Sequence, residues 1–148
     1  MNHMNVDTRE QLQMIHQRLK ELFGLYRNAV NNKEISDNEF WILCSLLDMD
    51  GEVSQHDISS LWSLSKQTVN TIIKNMDRRG LVRLETVPGT RNRKNIYLTD
   101  AGKQYAESIV NPILKIEQRA FDQLTMEERA AFMGILKKYT TALKKELS

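Results

Sequence analysis

Apolar side chains recur every three or four positions along most of this chain, which is the spacing of an amphipathic α-helix. The runs nearest the two ends are formed by Leu12, Ile15, Leu19, Leu22, Phe23 and Tyr26, and by Phe132, Ile135, Leu136, Tyr139 and Leu143. The period changes to two in one region, in the segments LVRLETV (81–87) and NIYL (95–98), which are typical of β-strands. The chain is therefore predicted to be mainly helical (α+β), with a single two-stranded hairpin.

Capping signals place the starts of three helices near residues 36, 54 and 65. Ser36 with Glu39, and Ser54 with Asp57, have the three-residue spacing of a capping box, in which each residue's side chain satisfies a backbone N–H of the other. Gly80 is expected to end the third helix, because glycine adopts a left-handed conformation without steric cost.

Longer helices are predicted at both ends of the chain. The first should begin near Thr8. Another should follow the hairpin, capped by Thr99 or Asp100, with Pro112 inside it as a bend or a break. The last should begin at Thr125, where two glutamates in the first turn suit the helix dipole.

The composition indicates one soluble domain. The chain has 148 residues, of which 41% are hydrophobic and 27% charged. Its longest apolar run, FWILCSLL (40–47), is far shorter than the roughly 20 residues that span a membrane. No secretory leader is recognisable, so the expected location is the cytoplasm, with no membrane partner.

Residues that could carry redox or metal chemistry are few. Cys44 is the single cysteine, and it is interpreted as a buried small hydrophobic residue within its helix. His3, His16 and His56 lack the spacing of metal ligands, so neither a metal nor another cofactor is predicted. No nucleophile elbow, Walker loop or HExxH motif is present, and an enzyme is not expected.

Positive charge is concentrated in one part of the chain. Between residues 62 and 98 there are eight basic side chains and two acidic ones, a net charge of +6, although the whole chain carries only +2. The remainder therefore carries −4. A cationic segment on an acidic body is the asymmetry expected of a protein that binds a polyanion.

The helix predicted from residue 65 has an unusual polar face. Val69, Ile72, Ile73 and Met76 form its apolar side, and the opposite arc carries amides, hydroxyls and cations but no carboxylate. Ordinary solvated faces mix both signs of charge. In a DNA major groove, amides and hydroxyls can read base edges, and carboxylates would be repelled by phosphates.

A helix, a short turn, a capped helix and a hairpin follow one another in the order of a winged helix-turn-helix. This arrangement assigns three sets of candidate DNA contacts. The candidates for base contacts are Lys66, Gln67, Asn70 and Thr71, and those for the DNA backbone are Ser54, Gln55, Ser65, Lys74 and Arg78. The candidates on the hairpin tip, or wing, are Arg91, Arg93 and Lys94.

Three stretches of sequence resemble the MarR family of transcriptional regulators. They are ISDNEFWILCSLL (35–47), VSQHDISSLWSLSKQTVNTIIKNMDRRGLVRLE (53–85) and IYLTDAG (96–102). The resemblance extends over nearly the whole chain, and it implies a single MarR-like domain, 1–148. In that domain residues 36–98 form the winged helix-turn-helix, and 8–31 and 100–146 supply dimerisation helices.

The resemblance also implies a function. Such proteins are homodimers that read a pseudo-palindromic operator in double-stranded DNA, usually repress genes, and release DNA when a small, often aromatic or lipophilic effector binds. One departure concerns the wing, where the family commonly has an Asp followed by an Arg that braces the loop. Here the loop reads PGTRNRK, without an acid, and either Arg91 or Arg93 is left for that role.

Two further interpretations remain open. Tyr26, Trp41 and Trp62 could line an effector cavity, but the sequence favours core packing for them. The apolar stripes of the long helices exceed what the winged unit could cover, which independently favours a dimer. The alternatives to DNA binding are a winged-helix module for protein partners and a ligand sensor without operator binding.

Overall fold

The computed structural model of the chain describes residues 5–33, 35–49 and 51–148. His3 lies outside them. The described part is mainly helical, as predicted, and contains six helices and two strands: α1 (Val6–Asn31), α2 (Asp37–Met49), α3 (Gln55–Trp62), α4 (Lys66–Arg78), β1 (Val82–Thr86), β2 (Lys94–Leu98), α5 (Asp100–Phe121) and α6 (Met126–Leu147). These elements divide into two compact units, residues 1–110 and residues 111–148.

The core of the first unit lies among α2, α3, α4 and the hairpin. Its fully buried side chains include Phe40, Ile42, Leu43, Ile58, Ile73, Met76 and Ile96. α3 packs against α4, and β2 contacts both α2 and α3. The apolar face predicted for the helix at 65–80 is therefore the face that α4 buries.

The two strands pair antiparallel, with Val82 opposite Leu98 and Thr86 opposite Lys94. The other side of β2 is held at the start of α3, because the Ile96 N–H donates to the Val53 carbonyl at 2.9 Å. The hairpin is thus joined by backbone hydrogen bonds to the segment that leads into the helix-turn-helix.

Most helix starts agree with the sequence prediction. Ser54 and Asp57 form a complete capping box, and Thr99 is the residue that caps α5, since its hydroxyl accepts from the Gly102 N–H at 3.0 Å. α1 begins two residues earlier than expected, at Val6, with Asn5 as its cap. α5 continues past Pro112 as one helix, so of the two predicted alternatives, a bend or a break, the break is excluded.

The capping box predicted at Ser36 is only half formed. The Ser36 hydroxyl accepts from the Glu39 N–H at 3.1 Å. The Glu39 carboxylate does not return to Ser36, because it lies 3.4 Å from both the Arg79 Nη1 and the Tyr105 hydroxyl. Glu39 therefore joins α2 to the end of α4 and to α5.

The second unit consists of the end of α5 and all of α6. Arg129 organises the turn between them, since its Nη2 lies 3.1 Å from the Asp122 carboxylate and its Nε donates to the Leu124 carbonyl. No residue of α6 is buried. Its exposed apolar side chains include Phe132, Ile135, Leu136, Tyr139 and Leu143. No helix of the described residues is long and apolar enough to cross a membrane.

Candidate nucleic-acid interface

α4 presents its polar face to solvent. Ser65 caps the helix by accepting from the Thr68 N–H at 3.1 Å, and Val69, Ile73 and Met76 are buried. The side chains predicted to meet DNA lie on the accessible part of the helix: Lys66, Gln67, Thr71, Lys74 and Arg78 are exposed, and Asn70 is half-buried. The structure thus brings this set together on one helix surface, with Ser65 at its N-terminus.

The N-terminus of α3 holds two of the residues predicted to meet the DNA backbone. Ser54 is only 3% exposed, and its hydroxyl accepts from the Asp57 N–H at 3.2 Å. The Ser54 hydroxyl is therefore used within the capping box, and the assignment of this residue to the DNA backbone stays a prediction. Gln55, the next residue, is half-buried at the start of the helix and stays a candidate.

The wing loop between the strands is a closed turn. The Val87 N–H donates to the Arg93 carbonyl at 2.8 Å, and the Thr90 hydroxyl donates to the Val87 carbonyl at 2.7 Å. Gly89 has φ of +80°, a conformation that favours glycine. Arg91 and Lys94 are exposed on this turn.

Arg93 is the wing arginine with an acidic partner. Its Nη2 lies 2.9 Å from the Asp57 Oδ2 of α3, which leaves the arginine side chain half-exposed. The acid missing from the loop is therefore supplied by another element. The pKa of Asp57 lies below its ordinary value of 3.8, chiefly because its carboxylate accepts from the Ser54 N–H, with the charge of Arg93 adding to the effect and partial burial opposing it.

The eight basic residues between 62 and 98 fall into two groups. Three have partners within the described residues: Arg93 pairs with Asp57, Arg83 pairs with Glu85 and lies over the Tyr97 ring, and Arg79 lies 4.8 Å from the centre of the Tyr105 ring beside Glu39. The other five have no such contact in that part of the chain: Lys66, Lys74, Arg78, Arg91 and Lys94. The second group is the cationic surface, and all five of its side chains are on α4 or the wing.

Aromatic side chains pack between α1, α2 and α3. The Trp41 ring stacks on Trp62 at 5.4 Å and contacts Tyr26 at 5.3 Å. A cavity of about 470 Å³ lies beside them, lined by His16, Leu19, Lys20, Phe23, Tyr26, Arg27, Asp37 and Trp41. Trp62 is not part of its wall, and its indole N–H donates to Ser45. Of the three predicted effector residues, two line the cavity.

The remaining predictions concern the single cysteine and possible metal ligands. Cys44, predicted to be buried, is only half-buried in α2, and its role as a packing residue stays a prediction. No cluster of three or more His, Cys, Asp or Glu side chains suited to a metal occurs in the described ranges. The long-range contacts of Asp57 and Arg79 were not predicted from the sequence, because their partners lie 36 and 40 residues away along the chain.

Known proteins share both the sequence pattern and the fold of this chain. The sequence model of the MarR family matches residues 34–91, which include α2, the helix-turn-helix and the start of the wing. NMB1585, a MarR family regulator from Neisseria meningitidis, superposes with a TM-score of 0.83 at 22% identity, covering 97% of each chain. The chain therefore has the winged helix-turn-helix fold of this regulator, and its residues 34–91 match the MarR family model.

Two further solved structures share the MarR-family fold. PcaV from Streptomyces coelicolor, in complex with its natural ligand, matches at a TM-score of 0.70 and 21% identity, with 97% of this chain and 99% of that one covered. MepR from S. aureus, in a DNA complex, matches at a TM-score of 0.67 and 23% identity, with 90% of this chain and 96% of that one covered. No curated protein sequence matches this chain significantly.

Proposed function

We propose that this chain is a regulator of the MarR family, a homodimer that binds double-stranded DNA sequence-specifically and represses transcription until a small effector binds. The proposal rests on the cationic surface defined above, whose five lysines and arginines have no partner among the residues that the structure describes. Exposed cations without internal partners release counterions when they meet phosphates, which is the main source of affinity for nucleic acid.

Sequence recognition would come from α4. Gln67 and Thr71 are exposed on the same helix as Lys74 and Arg78, so groups that hydrogen-bond to bases lie between groups that attract phosphate. Asn70 and Lys66 complete the set. The MepR structure, which is a DNA complex, supports DNA binding by a protein of this fold.

A second copy of the chain would cover the exposed apolar side chains of the long helices. On α1, Phe23 and Leu25 are 55% and 62% exposed, and on α6 Ile135 is 66% exposed. Apolar surface of this extent is costly in water, and two-fold pairing removes it from both copies at once. Two α4 helices about 34 Å apart would then read a pseudo-palindrome.

The cavity beside Trp41 is the proposed effector site. Its wall combines the aromatic rings of Phe23, Tyr26 and Trp41 with the basic side chains of Lys20 and Arg27, a lining that suits a small aromatic or lipophilic anion. The ligand-bound structure of PcaV supports an effector in this fold. A ligand that binds here would change the tryptophan fluorescence of the wild type and not that of Trp41→Phe.

The decisive test is a binding titration. DNA fragments enriched from a genomic library by the purified protein are compared with scrambled duplexes of the same composition, at about 50 and about 200 mM salt. The proposal predicts roughly 10³-fold tighter binding to the enriched duplex, and weaker binding to both at the higher salt. Equal affinity for the enriched and the scrambled duplexes would show that binding is not sequence-specific. No binding to either duplex at low salt would favour the protein-partner alternative.

A further inference from the structure

We propose that Arg93 is a positioning residue that fixes the wing against α3 through Asp57, and that Arg91 is the wing arginine that contacts DNA. The inference rests on the proposed function, since it assigns different parts in DNA binding to two arginines of one loop. The two residues are close in sequence and carry the same charge, so only their contacts distinguish them.

The structure separates the two arginines by their partners. The Arg93 guanidinium is 2.9 Å from the Asp57 carboxylate. Arg91 is exposed, and it makes no hydrogen bond or ion pair with any residue that the structure describes. The carboxylate occupies part of the Arg93 guanidinium and fixes its position, whereas all five N–H donors of Arg91 are open to a phosphate.

Asp57 is itself held rigidly. Its Oδ2 accepts from the Ser54 N–H at 2.9 Å, and its own N–H donates to the Ser54 hydroxyl at 3.2 Å. The carboxylate that receives Arg93 is therefore fixed by the first turn of α3. An ion pair contributes more when one partner is already immobile, because less side-chain entropy is lost on pairing.

The backbone carries this constraint to the tip of the wing. The Arg93 carbonyl accepts from Val87 across the loop, and further along β2 the Ile96 N–H donates to Val53, just before α3. The base of the wing is thus joined to the segment before α3 by a backbone hydrogen bond, and the wing loop is joined to α3 by the ion pair of Arg93 with Asp57. Together these contacts hold Arg91 at one position relative to the helix-turn-helix.

The assignment is tested with Arg93→Ala, Asp57→Asn and their double variant, using Arg91→Ala as the matched control. Asparagine at 57 keeps an oxygen that can accept from Ser54, so the cap survives and only the charge is lost. Two quantities are measured: amide hydrogen exchange of residues 87–95 in the free protein, and the slope of log affinity against log salt for an enriched duplex.

Arg93→Ala and Asp57→Asn should each raise exchange in the wing by about two- to fivefold, which is the range for an ion pair near the surface. The double variant should exchange no faster than either single variant, and Arg91→Ala should exchange like the wild type. On DNA, Arg91→Ala should flatten the salt slope by about 0.9. Arg93→Ala should weaken binding severalfold without changing that slope.

Other outcomes overturn the assignment. If Arg93→Ala flattens the slope as much as Arg91→Ala and leaves exchange unchanged, Arg93 is a phosphate contact. Additive exchange effects in the double variant would show that Asp57 and Arg93 act independently. If the wild type does not bind DNA at all, the proposed function fails, and the exchange measurements still decide whether the brace exists.

Discussion

The backbone of Gly102, in the first turn of α5, touches the backbone of Leu81 at the start of the hairpin. A Cβ placed on residue 102 would lie 1.8 Å from the Leu81 carbonyl oxygen. That carbonyl is also the acceptor for the Thr99 N–H at 3.0 Å, and the Thr99 hydroxyl donates to Gly80 at 2.7 Å. The motif LTDAG therefore holds the start of α5 against the end of α4.

Gly102→Ala should destabilise the protein by about 1–3 kcal/mol, the usual cost of forcing an extra methyl group into a packed contact. The neighbour is backbone, so it cannot rotate away. Thermal unfolding followed by circular dichroism measures the change. Gly134→Ala is the control, because nothing lies within 4 Å of a Cβ there and alanine favours a helix; equal stability of the two variants would contradict the proposed contact.

Adjacent arginines at the end of α4 should have separable effects. Arg79 lies over the Tyr105 ring and next to Glu39, whereas Arg78 is exposed and has no partner among the described residues. Arg79→Ala should therefore lower the free energy of unfolding by about 1 kcal/mol. Arg78→Ala should leave stability unchanged and weaken DNA binding. A loss of stability in Arg78→Ala would reverse this assignment.

The stability that Asp57 contributes should depend on pH. Its pKa in the folded protein lies below the ordinary value of 3.8, so its contribution is complete above that value and is lost as the pH falls through the lower, folded-state pKa. The wild type should be more stable than Asp57→Asn at pH 7, and the difference should shrink below about pH 4. Urea unfolding at several pH values measures it, and a constant difference would argue against an ionised carboxylate in this contact.

Association should depend on the apolar stripe of α6. Leu136 and Leu143 are both 44% exposed, and replacing both with lysine would place two charges at the proposed interface with a second copy. Sedimentation equilibrium should show monomers for this variant and dimers for the wild type. Thr141→Lys adds one such charge on the opposite side of α6 and should remain dimeric; dissociation by that control would show a nonspecific charge effect.

Base recognition and phosphate contact should respond differently to substitution on α4. Gln67→Ala should change the ranking of a panel of duplexes, because an amide distinguishes bases by its hydrogen bonds. Lys74→Ala should weaken binding to every duplex by a similar factor, since all sequences carry the same phosphates. A uniform loss in Gln67→Ala, measured by competition on the same panel, would remove it from the set of base contacts.

Local signals in the sequence predicted most of the fold. The box at Ser54 and Asp57 depends on residues three positions apart, and the apolar stripe of α4 depends on helical spacing, so both were visible without the structure. The contacts of Glu39 were not, because Arg79 and Tyr105 lie 40 and 66 residues further on. The local spacing predicted that this carboxylate pairs with Ser36, but the packing of α4 and α5 brings two other partners to it.

For the candidate site, the sequence likewise predicted the local arrangement of side chains but not their long-range contacts. Helical spacing was enough to place Gln67, Thr71 and Lys74 on one exposed face. It could not show that Ser54 would be buried beneath the hairpin, or that Asp57 would take Arg93 from the wing, since both results depend on how β2 packs against α3. Charge counts likewise could not separate the three paired cations from the five that have no partner in the described structure.

In the proposed regulator, the two α4 helices of a homodimer occupy successive major grooves of one duplex. Hydroxyl-radical footprinting on an enriched fragment can test this arrangement, with light scattering used to count the chains bound to each duplex. Two chains per duplex are expected, with two protected patches whose centres are about 34 Å apart, one turn of DNA. A single protected patch with one bound chain, or no protection at saturating protein, would exclude the arrangement.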